Sequence, residues 1–132
     1  MMYRQPRKSK AYQVKKQSIK DDFVDKQVLA IHHAIVAKVI QQPELISNVL
    51  EVLQRRKNQG RMSYSAYITW LSICELVSEP ETFQKAILED SHKMRRFRRE
   101  TPFVGILTEQ EREKALMENA IDKINIPEVL FL

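Results

Sequence analysis

Turn residues are scarce in this chain, and their scarcity constrains its fold more than any other feature. The sequence has two glycines and five prolines in 132 residues. β-Hairpins depend on Gly, Asn and Asp at their turns, so a strand-rich fold would need many more such residues. Hydrophobic residues make up 43% of the chain, enough for one buried core. The sequence therefore predicts an all-α protein, a compact bundle of about five helices.

Apolar residues recur at helical spacing along most of the chain. Between Asp21 and Gln41 they lie three or four positions apart, as on one face of a 3.6-residue helix. Similar patterns predict four further helices, with expected limits of about 43–57, 63–77, 80–100 and 108–124.

Several helix boundaries carry specific local signals. Ser63 is a plausible N-cap, and Thr108 with Glu111 has the spacing of a capping box. A bend is expected around Asp90–Ser91. Gly105, in an apolar non-helical segment, is expected to adopt a backbone conformation that other residues resist.

Positive charge is concentrated at the N-terminus. Residues 1–20 contain seven basic side chains and no acid, whereas the rest of the chain holds fifteen basic and seventeen acidic side chains. A segment so polar and self-repelling buries too little apolar area to offset its ordering entropy. We expect residues 1–20 to form a disordered basic arm and residues 21–132 to form the helical domain.

Two basic segments are candidate contacts for nucleic acid or an acidic partner. The guanidinium group of arginine forms paired hydrogen bonds with phosphates and carboxylates. Contact with phosphates does not require side chains that recognise a particular base. The alternative is plain solvated surface, a tail in one case and a favourably charged helix end in the other. The candidates are Arg4, Arg7, Lys8, Lys10, Lys15 and Lys16 in the arm, and Lys93, Arg95, Arg96, Arg98 and Arg99 in the predicted fourth helix.

Two apolar segments are candidate contacts for a protein partner. The stretch 101–107 is expected either to close one end of the bundle or to form a rim against a partner. The apolar C-terminus could pack on its own bundle, on a partner or on a second copy in a homo-oligomer. The candidates are Phe103, Val104, Ile106, Val129, Leu130, Phe131 and Leu132.

No catalytic or metal-binding motif is present in the sequence. His32 and His33 are adjacent, so on a helix their side chains diverge by about 100° and cannot share a metal. We expect one of them at the core edge and the other in solvent. Cys74 is the single cysteine and is expected to be a small buried apolar residue. No phosphate-binding glycine motif occurs. The expectation is a binding protein with no cofactor, and a small helical enzyme is the third alternative.

The sequence shows no recognisable membrane span or secretory signal, which favours the cytoplasm. No window approaches the roughly 18–20 apolar residues of a membrane span. The basic N-terminus lacks the apolar region of a secretory signal, and one cysteine suits a reducing compartment. The sequence predicts a cytoplasmic protein that makes no membrane contact.

The segment Arg98-Arg-Glu-Thr-Pro-Phe-Val-Gly-Ile-Leu-Thr-Glu-Gln-Glu-Arg112, with the earlier Tyr67-x-x-Trp-Leu71, resembles small uncharacterised bacterial helical proteins. The resemblance covers about residues 28–116 and leaves both tails out. Such proteins are associated with helix-turn-helix regulators or toxin–antitoxin-type gene pairs. The resemblance implies a regulatory or neutralising partner-binding role and carries over no catalytic residue.

The leading hypothesis is a non-enzymatic antitoxin or regulatory component. It would dock a protein partner, a toxin or a regulator, and contact nucleic acid through its basic segments. The alternative is a protein that binds nucleic acid directly. A helix-turn-helix built on 43–77 is the weaker form of that alternative, because the predicted helix 63–77 has no Lys or Arg to offer a base edge.

Overall fold

The computed structural model describes the backbone of residues 5–124 and the side chains of residues 19–120. This part of the chain is built from α-helices and contains no strand, so the predicted all-α class is confirmed. Short 3-10 turns at Pro43–Leu45 and Leu76–Ser78 precede the second helix and follow the third. The helices are α1 (Gln5–Gln41), α2 (Ile46–Asn58), α3 (Tyr64–Glu75), α4 (Pro80–Ile87), α5 (His92–Arg99) and α6 (Glu109–Ile124).

Helix α1 begins earlier than the sequence predicted. It runs for 37 residues from Gln5, whereas a start near Asp21 was expected. Between Pro6 and Pro43 there is no glycine or proline, and Lys, Arg, Gln and Ala are good helix formers, so no local signal stops the helix. The side chains of residues 1–18 lie outside the described residues. The six candidate contacts of the arm fall there.

Helices α2 and α3 form an antiparallel hairpin. Gly60 closes the end of α2 with a φ of 67°, a left-handed conformation that glycine adopts without steric cost. Ser63 Oγ then accepts a hydrogen bond from the Ala66 amide at 3.1 Å, which confirms the predicted N-cap of α3.

The predicted fourth helix is two helices. Helix α4 ends at Ile87 and α5 begins at His92, so the bend expected at Asp90–Ser91 is a complete break. Ser91 Oγ accepts a hydrogen bond from the Met94 amide at 3.1 Å and caps α5. The break allows α5 to turn its own buried face toward the core.

A capping box opens α6, as the sequence predicted. The Glu111 amide donates to Thr108 Oγ1 at 3.1 Å, and the Thr108 amide donates to Glu111 Oε1 at 2.8 Å. Lys38 Nζ donates to the same carboxylate oxygen at 2.7 Å, which ties α6 to α1. Gly105, just before this box, has a φ of 73°, as expected.

The core joins α1 through α5 and the segment after α5. Trp70 is its largest fully buried side chain, with ring centroids of Phe103 at 5.6 Å and His32 at 6.5 Å. Leu50 and Tyr64 are exposed, whereas Val52 belongs to the buried side of α2. The connected core cluster consists of Ile35, Val36, Val39, Ile46, Val49, Leu53, Tyr67, Trp70, Ile73, Cys74, Phe83, Ile87, Met94, Phe97, Phe103 and Ile106.

None of the described helices combines the length and the apolar content that crossing a bilayer requires.

Candidate anion-binding site at the end of the α2–α3 hairpin

Arg98 does not belong to a surface patch. Its side chain is 2% exposed, and Nη1 donates to the carbonyl oxygens of Ile87 at 2.8 Å and Glu89 at 2.9 Å. The expected surface position of Arg98 is therefore wrong, because the guanidinium satisfies carbonyl groups where α4 ends. Burial lowers the pKa of Arg98 below that of a free arginine.

Two other arginines of α5 are held by carboxylates of the same chain. Arg99 Nε donates to Asp25 Oδ1 at 2.7 Å, and this hydrogen bond raises the pKa of Arg99. Arg95 Nη1 lies 3.2 Å from Asp90 Oδ1. The charge of both arginines is therefore partly neutralised before any partner arrives.

Lys93 and Arg96 are the α5 cations that remain exposed without a carboxylate partner among the described residues. Lys93 Nζ lies 5.6 Å from the centroid of the Phe97 ring, and the Arg96 guanidinium carbon lies 5.7 Å from it. Both distances are those of cation–π contacts. These two side chains are the part of the predicted α5 cluster that stays available.

A second group of cations lies in the last turn of α2. Arg56 Nη1 donates to the backbone oxygen of Glu100 at 2.9 Å, which brings the last turn of α2 against the end of α5. Burial, and next the neighbouring Arg55 guanidinium, lower the pKa of Arg56. The basic end, as we use the term, consists of Arg55, Arg56, Lys57, Arg61 and Arg96.

A cleft of about 310 Å³ opens beside the basic end, between the start of α3 and the end of α5. Its apolar lining comes from Met62, Ala66, Trp70 and Phe97. Its polar lining is Ser63, Arg96 and Glu100. The cleft is thus bounded by aromatic rings, one cation and one carboxylate.

Acidic side chains collect at the far end of the hairpin. Glu75 ends α3, and Glu79 and Glu81 flank the start of α4. Because α2 and α3 run antiparallel, this acidic group lies about 18 Å, one helix length, from the α2–α3 turn. Glu75, Glu79 and Glu81 therefore lie away from the basic end.

The apolar candidates for partner docking are mostly internal. Phe103 is 3% exposed and Ile106 is equally buried, so the proposed rim contacts at these two residues are corrected to core contacts. They close one end of the bundle, the alternative that the sequence also allowed. Val104 is 47% exposed and remains available. Residues Val129–Leu132 lie outside the described residues.

The histidines and the cysteine show no reactive arrangement. His32 is 1% exposed and His33 is exposed, which confirms the expected split. His32 Nδ1 lies 2.8 Å from the Val28 carbonyl, and burial lowers the pKa of His32 to about 4. Cys74 is buried, and burial raises its pKa to about 12. Within residues 19–120, no group of three or more His, Cys, Asp or Glu side chains is placed to hold a metal ion.

Comparison with known proteins returned no family model, no curated protein and no solved structure that matches the chain. The resemblance to bacterial regulator-associated and toxin-associated proteins therefore stays a prediction.

Proposed function

We propose that this chain is a non-enzymatic regulatory protein that contacts nucleic acid through the basic end. The hydrogen bond from Arg56 to the Glu100 carbonyl carries the proposal, because it joins the last turn of α2, with its cations, to the end of the helix that carries Arg96. Exposed arginines grouped in this way suit phosphate oxygens, and each phosphate that they neutralise releases condensed counterions.

The regulatory role is of the antitoxin type and is supported by the resemblance of the segment Arg98–Arg112. A protein of this kind binds a partner and needs no reactive cleft. The basic residues of the arm would add phosphate contacts to those of the basic end. Two cationic sites on one chain would grip a polyanion more firmly than either site alone.

Docking of a protein partner is the second candidate, and a groove between α1 and α6 favours it. The groove has a volume of about 490 Å³, and its floor includes Leu29, Ala34 and Ala115. Small side chains let another helix approach closely. Lys26 and Glu118 lie on its lining and would fix the orientation of a partner by charge.

A salt titration tests the lead proposal. Binding of a labelled duplex and a labelled single strand would be followed by fluorescence anisotropy over a series of salt concentrations. Binding through phosphate contacts weakens steeply as the salt concentration rises. On duplex DNA, a plot of the logarithm of the association constant against the logarithm of the salt concentration has a slope of about −0.9 per contact. Removing three cations of the basic end should flatten the slope by about 2 to 3. The variant carries Arg55→Gln, Arg61→Gln and Arg96→Gln.

The matched control removes the same charge elsewhere on the surface. It neutralises three exposed cations of α4 and α6 and should leave the slope nearly unchanged. Equal losses in the two variants would mean that only net charge matters, and the basic end would not be a site. Salt-independent binding would favour the groove between α1 and α6 instead. The control carries Lys85→Gln, Arg112→Gln and Lys114→Gln.

A further inference from the structure

We propose that the basic end binds a single strand of nucleic acid, with one unpaired base stacked on the exposed ring of Tyr64. The inference rests on the proposed nucleic-acid contact and deepens it by naming the class of strand that the helical body recognises. It is carried by the exposure of Tyr64, by the cations next to it, and by the charge distribution along α3.

Tyr64 presents its ring to solvent at the first turn of α3. It is 73% exposed, whereas Tyr67 and Trp70, further along the same helix, are buried. Residues four positions apart share one side of a helix, so the exposed Ile68 lies beside Tyr64 on the solvent side. Within residues 19–120, no hydrogen bond or ring contact holds the Tyr64 side chain. An accessible aromatic ring is therefore available to a flat ligand.

Two cations of the basic end lie next to Tyr64. The Arg61 amide donates to the Arg56 carbonyl at 2.9 Å, which fixes Arg61 at the end of α2, three residues before Tyr64. Three residues of chain span at most about 11 Å. Lys57 Nζ lies 4.7 Å from the centroid of the Tyr67 ring, one helical turn from Tyr64. A strand whose phosphates contact Lys57 and Arg61 would therefore have a base within reach of the Tyr64 ring.

An unpaired base uses both features of this surface. Aromatic side chains beside a positively charged groove are the combination with which proteins bind single strands without sequence preference. In a duplex, both faces of each internal base are covered by the neighbouring bases, so only an unpaired base can stack on a side chain. Every base has such a face, and the surface therefore selects the strand type and no particular base.

The charge distribution along α3 does not suit a duplex groove. A recognition helix lies in the major groove, where cations on both flanks contact the phosphates of the two strands. Helix α3 contains no Lys or Arg, and its last residue is Glu75. The basic end adjoins the opposite end of the helix, one helix length or about 18 Å from Glu75. The contact surface is therefore short and suits a few unpaired nucleotides.

The type of strand gives the first test. Fluorescence anisotropy at low salt would compare a labelled single strand of about sixteen nucleotides with its duplex and with an abasic strand of the same length. Contact with phosphates alone favours the duplex, which has the higher charge density. Stacking predicts that the single strand binds about tenfold more tightly than the duplex or the abasic strand. DNA and RNA strands of matched sequence identify the source, because the natural strand should bind more tightly.

Variants of Tyr64 test the stacking directly. Tyr64→Ala should weaken single-strand binding at least about fivefold. It should leave the salt slope unchanged, because it removes no cation. Tyr64→Phe keeps the ring and should bind like the unchanged chain. Met117→Ala removes another large side chain, 65% exposed on α6, and should have no effect. The abasic strand should bind equally to Tyr64→Ala and to the unchanged chain, since it has no base to stack.

The outcomes separate this inference from the proposed function. Equal affinity of the unchanged chain for the single strand and the abasic strand would overturn the inference, and so would an unchanged affinity in Tyr64→Ala. If neutralising the basic end still flattens the salt slope in that case, the proposed function stands and only the stacked base is lost. Binding that does not depend on salt would contradict the proposed function itself, and the inference with it.

Discussion

The guanidinium of Arg98 donates to the carbonyl of Ile87, the last residue of α4, over 2.8 Å. The two residues lie on different helices, and the bond closes the sharp corner between α4 and α5. It explains how an arginine in a strongly basic run comes to be buried. The same bond divides the run into one structural arginine and the cations that remain at the surface.

Substituting Arg98 should destabilise the fold. Arg98→Ala leaves the carbonyls of Ile87 and Glu89 without their donor, and each unpaired buried polar group costs about 1–3 kcal/mol. We expect the free energy of unfolding, measured by urea denaturation, to fall by about 2–4 kcal/mol. Arg95→Ala, which breaks a half-exposed ion pair, should cost less than about 1 kcal/mol. Similar losses in the two variants would contradict the structural role of Arg98.

Stability should decrease as the pH falls from about 6.5 to about 4. Burial lowers the pKa of His32 to about 4 in the folded chain, whereas an unfolded histidine titrates near 6.5. Between these two pH values the unfolded chain binds one more proton than the folded chain. Acid therefore lowers the free energy of unfolding by about 3 kcal/mol. Urea denaturation at a series of pH values measures the effect.

A pair of histidine variants isolates the cause of this pH dependence. His32→Gln should remove most of it, because no histidine then has to remain neutral in the core. His33→Gln, at the exposed neighbour, should retain it. A pH dependence that survives in His32→Gln would assign the effect to other groups, such as Glu111, whose pKa is lowered by its hydrogen bond from Lys38.

The segment 101–107, which follows α5, should contribute to the stability of the fold through Phe103. Phe103→Ala opens a cavity beside Trp70 and Phe83, whose ring centroids lie 5.6 and 6.4 Å away, and should lower stability by about 3–5 kcal/mol. Val104→Ala, at the exposed neighbour, should change stability by less than about 0.5 kcal/mol. Thermal or urea unfolding distinguishes the two, and a tolerated Phe103→Ala would restore the docking interpretation of this residue.

Features with a local signal could be predicted from the sequence. The capping box at Thr108, the N-cap at Ser63 and the irregularity near Ser91, expected as a bend, each depend on residues within four positions of one another. Local hydrogen bonds and periodicity determine these features before any tertiary contact forms.

Features that depend on distant contacts could not be predicted. Arg98 and Arg99 look alike in the sequence, and only the positions of α4 and α1 decide that one is buried and the other pairs with Asp25. The basic end exists because Arg56 meets Glu100, 44 residues away. No spacing rule links these two residues, so the cleft beside them was missed.

Mapping the contact surface by nuclear magnetic resonance tests the central claim most directly. Backbone amide shifts of the full chain would be recorded during titration with an oligonucleotide at low salt. If the basic end is the binding site, the largest shifts fall within residues 55–66 and 93–100, around the cleft. If the largest shifts fall instead on α4 or along the groove between α1 and α6, with the basic end unchanged, the claim is contradicted.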